Sequence, residues 1–364
     1  MKAIILAGGI ATRLRPLSCT RPKLLFPLLN KPLLDHTLER LAETGVNGVT
    51  LAVRFMADVF RKRYGKSTNG MIISYSREKI PMWTGGAIKY AEKLIGHDDQ
   101  FLVLNGDIFT TIDYTELISK HKENEAVATI ALYRVEDPHR YGTVKLTKEN
   151  RITQFVEKAP IGKAPSNFIN AGVYVLDPQI FDYIPSGRPV SIEREVFPKL
   201  AEQGKLLGYI FNDVWIDIGK PEDYLQANKL MLDVNKEKQL LGHDTKLGDW
   251  VDIIEPIMID SGVTVGKKSK IGPYAIIGRD TVLRKNVSLE NSVVFPEAII
   301  SDNASIRGAI IGEGAMIGKG ATISEGCVIG DYAIIADNVT VSKNVTVCHS
   351  KEIKETVPDS THVI

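Results

Sequence analysis

The residues best suited to chemistry sit near the N-terminus, in Leu6 to Lys23 (LAGGIATRLRPLSCTRPK). Gly8 and Gly9 follow an apolar run, and without a Cβ their backbone N–H groups are open to an anion. Thr12 adds a hydroxyl, and Arg13, Arg15 and Lys23 add the positive charge that a polyphosphate needs. Taken singly, Gly-Gly is a common turn and each cation reads equally well as a solvated surface charge. Together they specify an anion site. Asp107 and Asp217 each close an apolar run, in Phe101–Asp107 and Trp215–Asp217. Two carboxylates completed by phosphate oxygens are a donor set for Mg²⁺; the other reading is a strand-end Asp capping a turn.

These groups need a rigid frame. Residues 1–7, 46–53, 71–75 and 101–104 read as strands, and 33–45, 56–64 and 87–94 as helices, the last opened by Thr84-Gly85-Gly86. Strand–helix alternation argues for an open, mostly parallel α/β sheet, in which ligands bind beyond the C-terminal strand ends. Residues 126–135, 142–146, 152–156 and 172–176 then read as strands with short turns, an extension of the sheet. Helices follow within 188–200 and over 222–233. Ala11 in the first turn predicts a backbone that does not demand positive φ.

From Val263 the chain repeats. Apolar residues recur every six positions at Val265, Ile271, Ile277, Leu283 and Leu289, and again from Ile311 through Ile317, Ile323, Ile329, Ile335 and Val341 to Val347. Two one-residue slips connect the blocks through Val294, Ile300 and Ile306. A six-residue period fits a triangular coil with one hexapeptide per face and the aliphatic residue inward. The reading is therefore a catalytic domain at 1–234, a linker at 235–254, a β-helix at 255–350 and a tail at 351–364.

The 364 residues carry 45 basic and 44 acidic side chains, so no global charge draws the chain to nucleic acid or to an anionic membrane. Three cysteines without CxxC spacing point to a reducing compartment. The N-terminal apolar run is too short for a signal-peptide core, and no later run could span a bilayer. A cytoplasmic protein is expected.

Residues 6–23 resemble the signature of the sugar-nucleotide pyrophosphorylases, the sugar-1-phosphate nucleotidylyltransferases. The resemblance continues through Asn105-Gly106-Asp107, Val156-Glu157-Lys158, Asn170-Ala171-Gly172 and Trp215–Gly219 into the hexapeptide repeats. Ser191–Pro198 and Trp215–Leu225 look most like the mannose-1-phosphate guanylyltransferase branch. The resemblance implies a Rossmann-like mixed-sheet domain followed by a left-handed parallel β-helix. It implies an NTP, most closely GTP, and a sugar 1-phosphate as substrates, with Mg²⁺ at Asp107 and Asp217 and catalytic roles for Arg13 and Lys23. Leu6, Ala7, Gly8, Gly9, Thr12, Glu78, Trp83, Thr84 and Asn105 would contact the nucleotide; Gly142, Glu157, Lys158 and Asn170 would contact the sugar phosphate, with Arg194 a weaker phosphate contact. Two positions depart from the common pattern: Trp83-Thr84 stands where Gly-Thr is usual, and Ala11 where a Gly precedes Thr-Arg. Trp83 could stack on a purine, and Glu78 could accept from guanine N1–H and N2–H.

Other readings keep the fold. One is a uridylyl- or thymidylyltransferase for glucose 1-phosphate. Another adds a C-terminal acyltransferase giving UDP-N-acetylglucosamine; the lack of His in 263–347 speaks against it. A third is a non-catalytic sugar-nucleotide sensor, opposed by intact Arg13, Lys23, Asp107 and Asp217. The coil is expected to serve homo-oligomer assembly, because open coil ends expose strand edges, and its deletion to leave some transfer activity.

Overall fold

Runs that are apolar on both faces form the centre of a ten-stranded mixed sheet. Met71–Arg77, Gly48–Val53, Lys2–Ala7 and Phe101–Asn105 lie side by side in that order, all parallel. Phe168–Leu176 pairs antiparallel with Phe101–Asn105 and with Ala128–Arg134, and it leads to Gly142–Leu146 and Ile152–Glu157. This is the sheet extension expected of the hairpin-like segment. The computed structural model describes all residues except 98, 236–238 and 364.

Two units divide the chain: Met1–Gly9 with Leu34–Asp217, and Ile10–Leu33 with Ile218–Ile364. In the first, helices Ala57–Tyr64, Trp83–Tyr90 and Tyr114–Glu123 accompany the sheet. Asp113 caps the last of them, accepting from Thr115 and Glu116 N–H at 2.8 and 3.0 Å. The helix expected from residue 87 begins earlier, at Trp83.

The second unit holds three parallel sheets whose short strands follow one another around a left-handed β-helix. Ile257 pairs with Ala275 and Ile310 with Val328, an advance of three hexapeptides per coil. Ile276 pairs with Val293, and Val293 with Ile310, one residue short each time. Those two shortened coils are the slips read in the sequence. The inward aliphatic residues, Ile271 to Val347, form one buried column.

The coil is longer than its repeat suggests. Gln239–Leu241, Lys246–Leu247 and Asp252–Ile253, within the stretch read as linker, pair with the coil strands that follow. Glu352–Ile353 and His362–Val363, within the stretch read as tail, pair with those that precede. Residues 236–238 of the expected linker and 364 of the expected tail lie outside the described residues. The longer coil takes in His243, His349 and His362, so the absence of histidine from 263–347 no longer weighs against an acyltransferase.

Residues Ile10–Leu33 fold with the coil. They form three short 3₁₀ turns, Thr12–Leu14, Leu17–Cys19 and Lys23–Leu25, and a ladder that sets Pro27 opposite Pro32. Phe26, Tyr224 and Phe295 meet edge to face, with ring centroids 5.9 to 6.2 Å apart. Tyr224 belongs to the helix Pro221–Val234, whose Asn228 accepts from Leu29 N–H at 3.0 Å.

Candidate active site

In the first unit the register brings candidates together. Leu6 lies opposite Asn105, and Gly106 N–H donates to Leu6 C=O at 3.0 Å. Gly8-Gly9 and Gly106-Asp107 therefore leave neighbouring parallel strands at the same edge, where such sheets bind ligands. Trp215–Asp217 runs antiparallel to Ile108–Thr110, with Asp217 opposite Ile108, the residue after Asp107. Strand pairing thus brings together two segments whose aspartates lie 110 positions apart in the sequence. Trp215 fixes that strand: its Nε1–H donates to Ala171 C=O at 2.9 Å, and its ring packs on Tyr133 and Tyr141.

The donor set around Asp107 and Asp217 suits a hard divalent cation. Asn105 Oδ1, two residues before Asp107, is buried and has no hydrogen-bond partner among the described residues. Among the described residues no cluster of three or more His, Cys, Asp or Glu could hold a metal by itself. A cation held by two carboxylates would need substrate oxygens to complete its coordination shell, the usual arrangement for one that arrives with a triphosphate.

The segment 78–86 is clamped at both ends. Glu78 is buried; its Oε2 accepts from Met82 N–H at 3.1 Å, and its Oε1 would lie 3.6 Å from a Cβ placed on Gly8. Burial pushes its carboxyl above the usual range, against the Met82 hydrogen bond and the Arg54 charge, which favour the anion. Glu78 therefore spends one oxygen on holding the loop. Thr84 Oγ1 donates to Glu193 Oε2 at 2.6 Å and accepts from Ile192 N–H at 3.1 Å. A side chain on Gly85 would lie 3.1 Å from Ile192 N and Val190 C=O, so only Gly fits without displacement. Between these clamps Trp83 stands 60% exposed with φ 58°, in the left-handed region.

The sugar-phosphate candidates form a second group. Gly142 pairs with Glu157, and a Cβ on Gly142 would lie 2.7 Å from Glu157 Oε2. The glycine makes room for that carboxylate. Burial and the nearby Glu193 push Glu157 upward, against Lys158 and Arg194. Lys158 follows with φ 52° and is exposed. Asn170 is committed within the fold, donating to Tyr174 Oη and accepting from Gly172 N–H, both at 2.9 Å. Glu193 carries no signal of its own in the sequence beyond its place in Ser191–Pro198. It lies in a π-helical turn, Ile192–Val196, and links Thr84 to the surroundings of Glu157. A wide turn of this kind often marks a functional site.

In the second unit Arg13 is exposed and passes Gly219, where a Cβ would lie 3.4 Å from Arg13 Nη2. Lys23 is 8% exposed, in the turn Lys23–Leu25. Ala11 overturns its expectation. It adopts φ 51° and ψ 48°, the left-handed conformation. Its C=O accepts from Leu14 N–H at 3.0 Å and Ser18 Oγ at 2.8 Å, and these bonds offset the cost of placing a Cβ there.

Two family models match the chain: Nucleotidyl transferase over residues 2–234 and GMPPB C-terminal domain over 253–364. The chain belongs to the nucleotidyl transferase family. A mannose-1-phosphate guanylyltransferase of Mycobacterium tuberculosis is 37% identical over 278 residues, covering 74% of this chain and 76% of the relative. A mannose-1-phosphate guanylyltransferase catalytic subunit beta of Dictyostelium discoideum is 38% identical over 264 residues, covering 71% of each. A solved structure from Bacillus anthracis, described as a putative glucose-1-phosphate thymidylyltransferase, superposes with a TM-score of 0.59 at 26% identity, covering 65% of this chain and 98% of that one. This nucleotidyltransferase therefore joins a Rossmann-like sheet to a β-helix, and its family generally uses a divalent metal. Among the described residues no helix is long and apolar enough to cross a membrane.

Proposed function

We propose that the chain transfers GMP from GTP to mannose 1-phosphate, releasing pyrophosphate and forming GDP-mannose. The observation that carries this reading is the agreement of relatives named mannose-1-phosphate guanylyltransferase, at 37–38% identity over most of the chain, with the C-terminal match over 253–364. The same C-terminal match favours it over a second, acyltransferase activity.

A phosphate oxygen of mannose 1-phosphate attacks the α-phosphorus of GTP. The bond from that phosphorus to the bridging oxygen breaks, and pyrophosphate leaves with the electron pair. No general base is required, because the attacking phosphate is already ionised. Two anions must nevertheless meet, so the work is neutralisation and alignment. Gly8 and Gly9 offer backbone N–H groups to the phosphates, Arg13 takes the departing pyrophosphate, and Lys23 takes the α-phosphate. Asp107 and Asp217 would hold Mg²⁺, which supplies charge neutralisation at the phosphoryl oxygens. Thr12 and Asn105 line the nucleotide side, and Trp83 and Thr84 the base; Glu157 and Lys158 hold the mannosyl phosphate against Gly142, and Asn170, already bonded to Tyr174 and Gly172, lines that pocket with its remaining amide hydrogen-bonding capacity.

The enzyme works in this reading as a cytoplasmic homo-oligomer. The free cysteines Cys19, Cys327 and Cys348 fit a reducing compartment. One coil face supports assembly with a second copy. Its outward residues Lys246, Thr264, Val282, Ile299, Met316, Ile334 and Glu352 lie in register, one coil apart. Met316 is 44% and Ile334 40% exposed. A two-fold axis at Ile299 would place Lys246 against Glu352 of the second copy at both ends of this aliphatic row.

Pyrophosphate release from each of the four NTPs with mannose, glucose and N-acetylglucosamine 1-phosphates tests the reaction. GTP with mannose 1-phosphate should be the fastest pair. A faster pair with another base or sugar would overturn the proposal.

A further inference from the structure

Lys23 lies between two residues that rest on the same ring of the β-helix. The Arg21 guanidinium sits over Phe295 at 5.1 Å from the ring centroid, and Phe26 meets that ring edge to face at 6.2 Å. Phe295 is fully buried. Arg21 is also held at its head. Its Nη2 donates to Asp331 Oδ2 at 2.5 Å, and its Nη1 lies 2.9 Å from Glu313 Oε2. Thr20 Oγ1 donates a short hydrogen bond to the same Asp331 oxygen. Asp331 is 1% exposed, and its other oxygen accepts from the Glu313 backbone N–H at 2.8 Å. One carboxylate therefore faces the coil with Oδ1 and the segment Ile10–Leu33 with Oδ2.

We propose that Asp331 and Arg21 are positioning residues for the transferase reaction, fixing Lys23 through the β-helix. The inference rests on the assignment of Lys23 to the α-phosphate. Its mechanics are short-range. Only Pro22 separates Arg21 from Lys23; its φ is −60° and its ring prevents rotation about that bond. Lys23 then enters a 3₁₀ turn in which Leu25 N–H donates to Pro22 C=O and Phe26 N–H to Lys23 C=O, both at 2.9 Å. A shift of Arg21 is passed to Lys23 with little slack.

Charge acts in the same direction. Burial works against the Arg21 cation, but Asp331 and Glu313 outweigh it and hold the guanidinium firmly protonated. Without Asp331, that cation would be released two residues from Lys23, the residue assigned to the α-phosphate. It would compete for the phosphates and draw them out of line. The β-helix thus contributes to alignment without touching substrate.

The test uses the full chain and two substitutions. Asp331→Asn keeps the volume and an oxygen for Glu313 N–H, but turns an N–H₂ donor toward Arg21 and Thr20. Arg21→Met leaves the coil intact and removes the charge from the other side, so the test survives if the first variant fails to fold. Misplacing a catalytic group by about 1 Å costs about 100-fold in rate. Both variants should lose kcat for pyrophosphate release by about 10- to 100-fold, with KM for mannose 1-phosphate within about twofold, since none of the sugar-phosphate candidates belongs to the segment Ile10–Leu33. Arg21→Lys should recover part of the loss, because it keeps a cation that Asp331 can hold. For Arg21→Met the thermal midpoint should fall, because Asp331 loses the cation that offsets its burial, while sedimentation and the circular dichroism spectrum below that midpoint stay near those of the unaltered enzyme. Unchanged kcat in either folded variant overturns the inference. If the unaltered enzyme instead proves active with a different NTP or sugar phosphate, the substrate assignment has failed, and the same kcat comparison with that pair still decides the positioning role.

Discussion

Replacing Trp83 by Gly should move stability and GTP binding in opposite directions. The left-handed conformation costs a non-glycine residue roughly 1–2 kcal/mol. Trp83 bears that cost at φ 58° while leaving its ring 60% exposed, so the first unit gains little from burying it. Glycine removes the strain but returns about 0.5–1 kcal/mol through the greater freedom of the unfolded chain. The net expectation is a protein as stable as before or more stable by about 1 kcal/mol. Stacking of an aromatic ring on a base is worth about 1–3 kcal/mol by substitution. If Trp83 stacks on guanine, KM for GTP should rise about 5- to 150-fold, since each 1.4 kcal/mol is tenfold.

Steady-state pyrophosphate release against GTP concentration, paired with thermal unfolding, reads both quantities in one preparation. Trp83→Asn separates the two terms. Asparagine tolerates the left-handed region but has no ring, so it should share the weakened GTP binding of the glycine variant. Trp83→Phe should recover much of the affinity. The clamps on either side, Glu78 to Met82 N–H and Thr84 to Glu193, should keep the loop in place in every variant. An unchanged KM for GTP in Trp83→Gly, alongside raised stability, would refute the stacking role and leave Trp83 as a strained surface residue.

Asp217→Asn, which preserves the ladder opposite Ile108, should abolish metal-dependent pyrophosphate release while the circular dichroism spectrum stays unchanged; near-normal turnover would remove Asp217 from the metal site. His121 is buried, with Nδ1 2.8 Å from Thr129 Oγ1, and burial pushes its pKa down to about 4, with Asp177 opposing and Lys122 assisting. Because the folded value lies below the unfolded one, its contribution is present above about pH 6.5 and is lost as pH falls to about 4, costing about 3 to 4 kcal/mol at roughly 1.4 kcal/mol per pH unit; urea unfolding of His121→Gln should show a flatter acid limb than the unaltered protein. Met316→Lys with Ile334→Lys should shift sedimentation toward smaller species without altering the coil, since both side chains point outward; an unchanged profile would rule out that face as the assembly surface.

Much of this architecture can be read from residue order because its cause is local. Period-six aliphatic residues signal the coil, and even its two one-residue slips correspond to shortened coils at Ile276–Val293 and Val293–Ile310. The coil's first turn escapes that reading although Leu241, Leu247 and Ile253 keep the same period. Its setting is polar, and Leu241 and Leu247 remain 45% and 42% exposed where the column ends. Ala11 misleads because residue type reports steric preference, whereas the hydrogen bonds from Leu14 and Ser18 decide the conformation. The pairing of Asp217 with Ile108 and the attachment of Thr20 and Arg21 to Asp331 have no local signal at all. They follow from topology, and residues more than a hundred positions apart give no sign of contact in one sequence. The expectation that the coil can be deleted with activity retained suffers from the same blindness. A segment carrying Arg13 and Lys23 that folds with the coil should lose its shape when the coil is removed.

Two candidate contact positions, Trp83 and Lys158, and Ala11 beside Thr12 share one backbone feature that bears on how the site is built. Ala11, Trp83 and Lys158 have φ of 51°, 58° and 52°. None is glycine or asparagine, the types that adopt this region most easily, so each retains strain of about 1–2 kcal/mol. For Lys158 the reason is geometric. It follows the strand Ile152–Glu157, and successive residues of a strand point to opposite faces. Continued extension would send Glu157 and Lys158 to opposite sides of the sheet, and one pocket could not use both a carboxylate for sugar hydroxyls and an ammonium for the phosphate. The left-handed turn breaks that alternation at the residue proposed to bind the phosphate, and Lys158 N–H is retained by Tyr141 C=O at 3.0 Å, beside Gly142. Ala11 and Trp83 likewise turn the chain immediately before Thr12-Arg13 and Thr84. Relieving the strain at Lys158 with glycine would therefore ease the backbone and remove the ammonium together, so Lys158→Asn, which keeps the turn without the charge, is the substitution that isolates what the cation contributes.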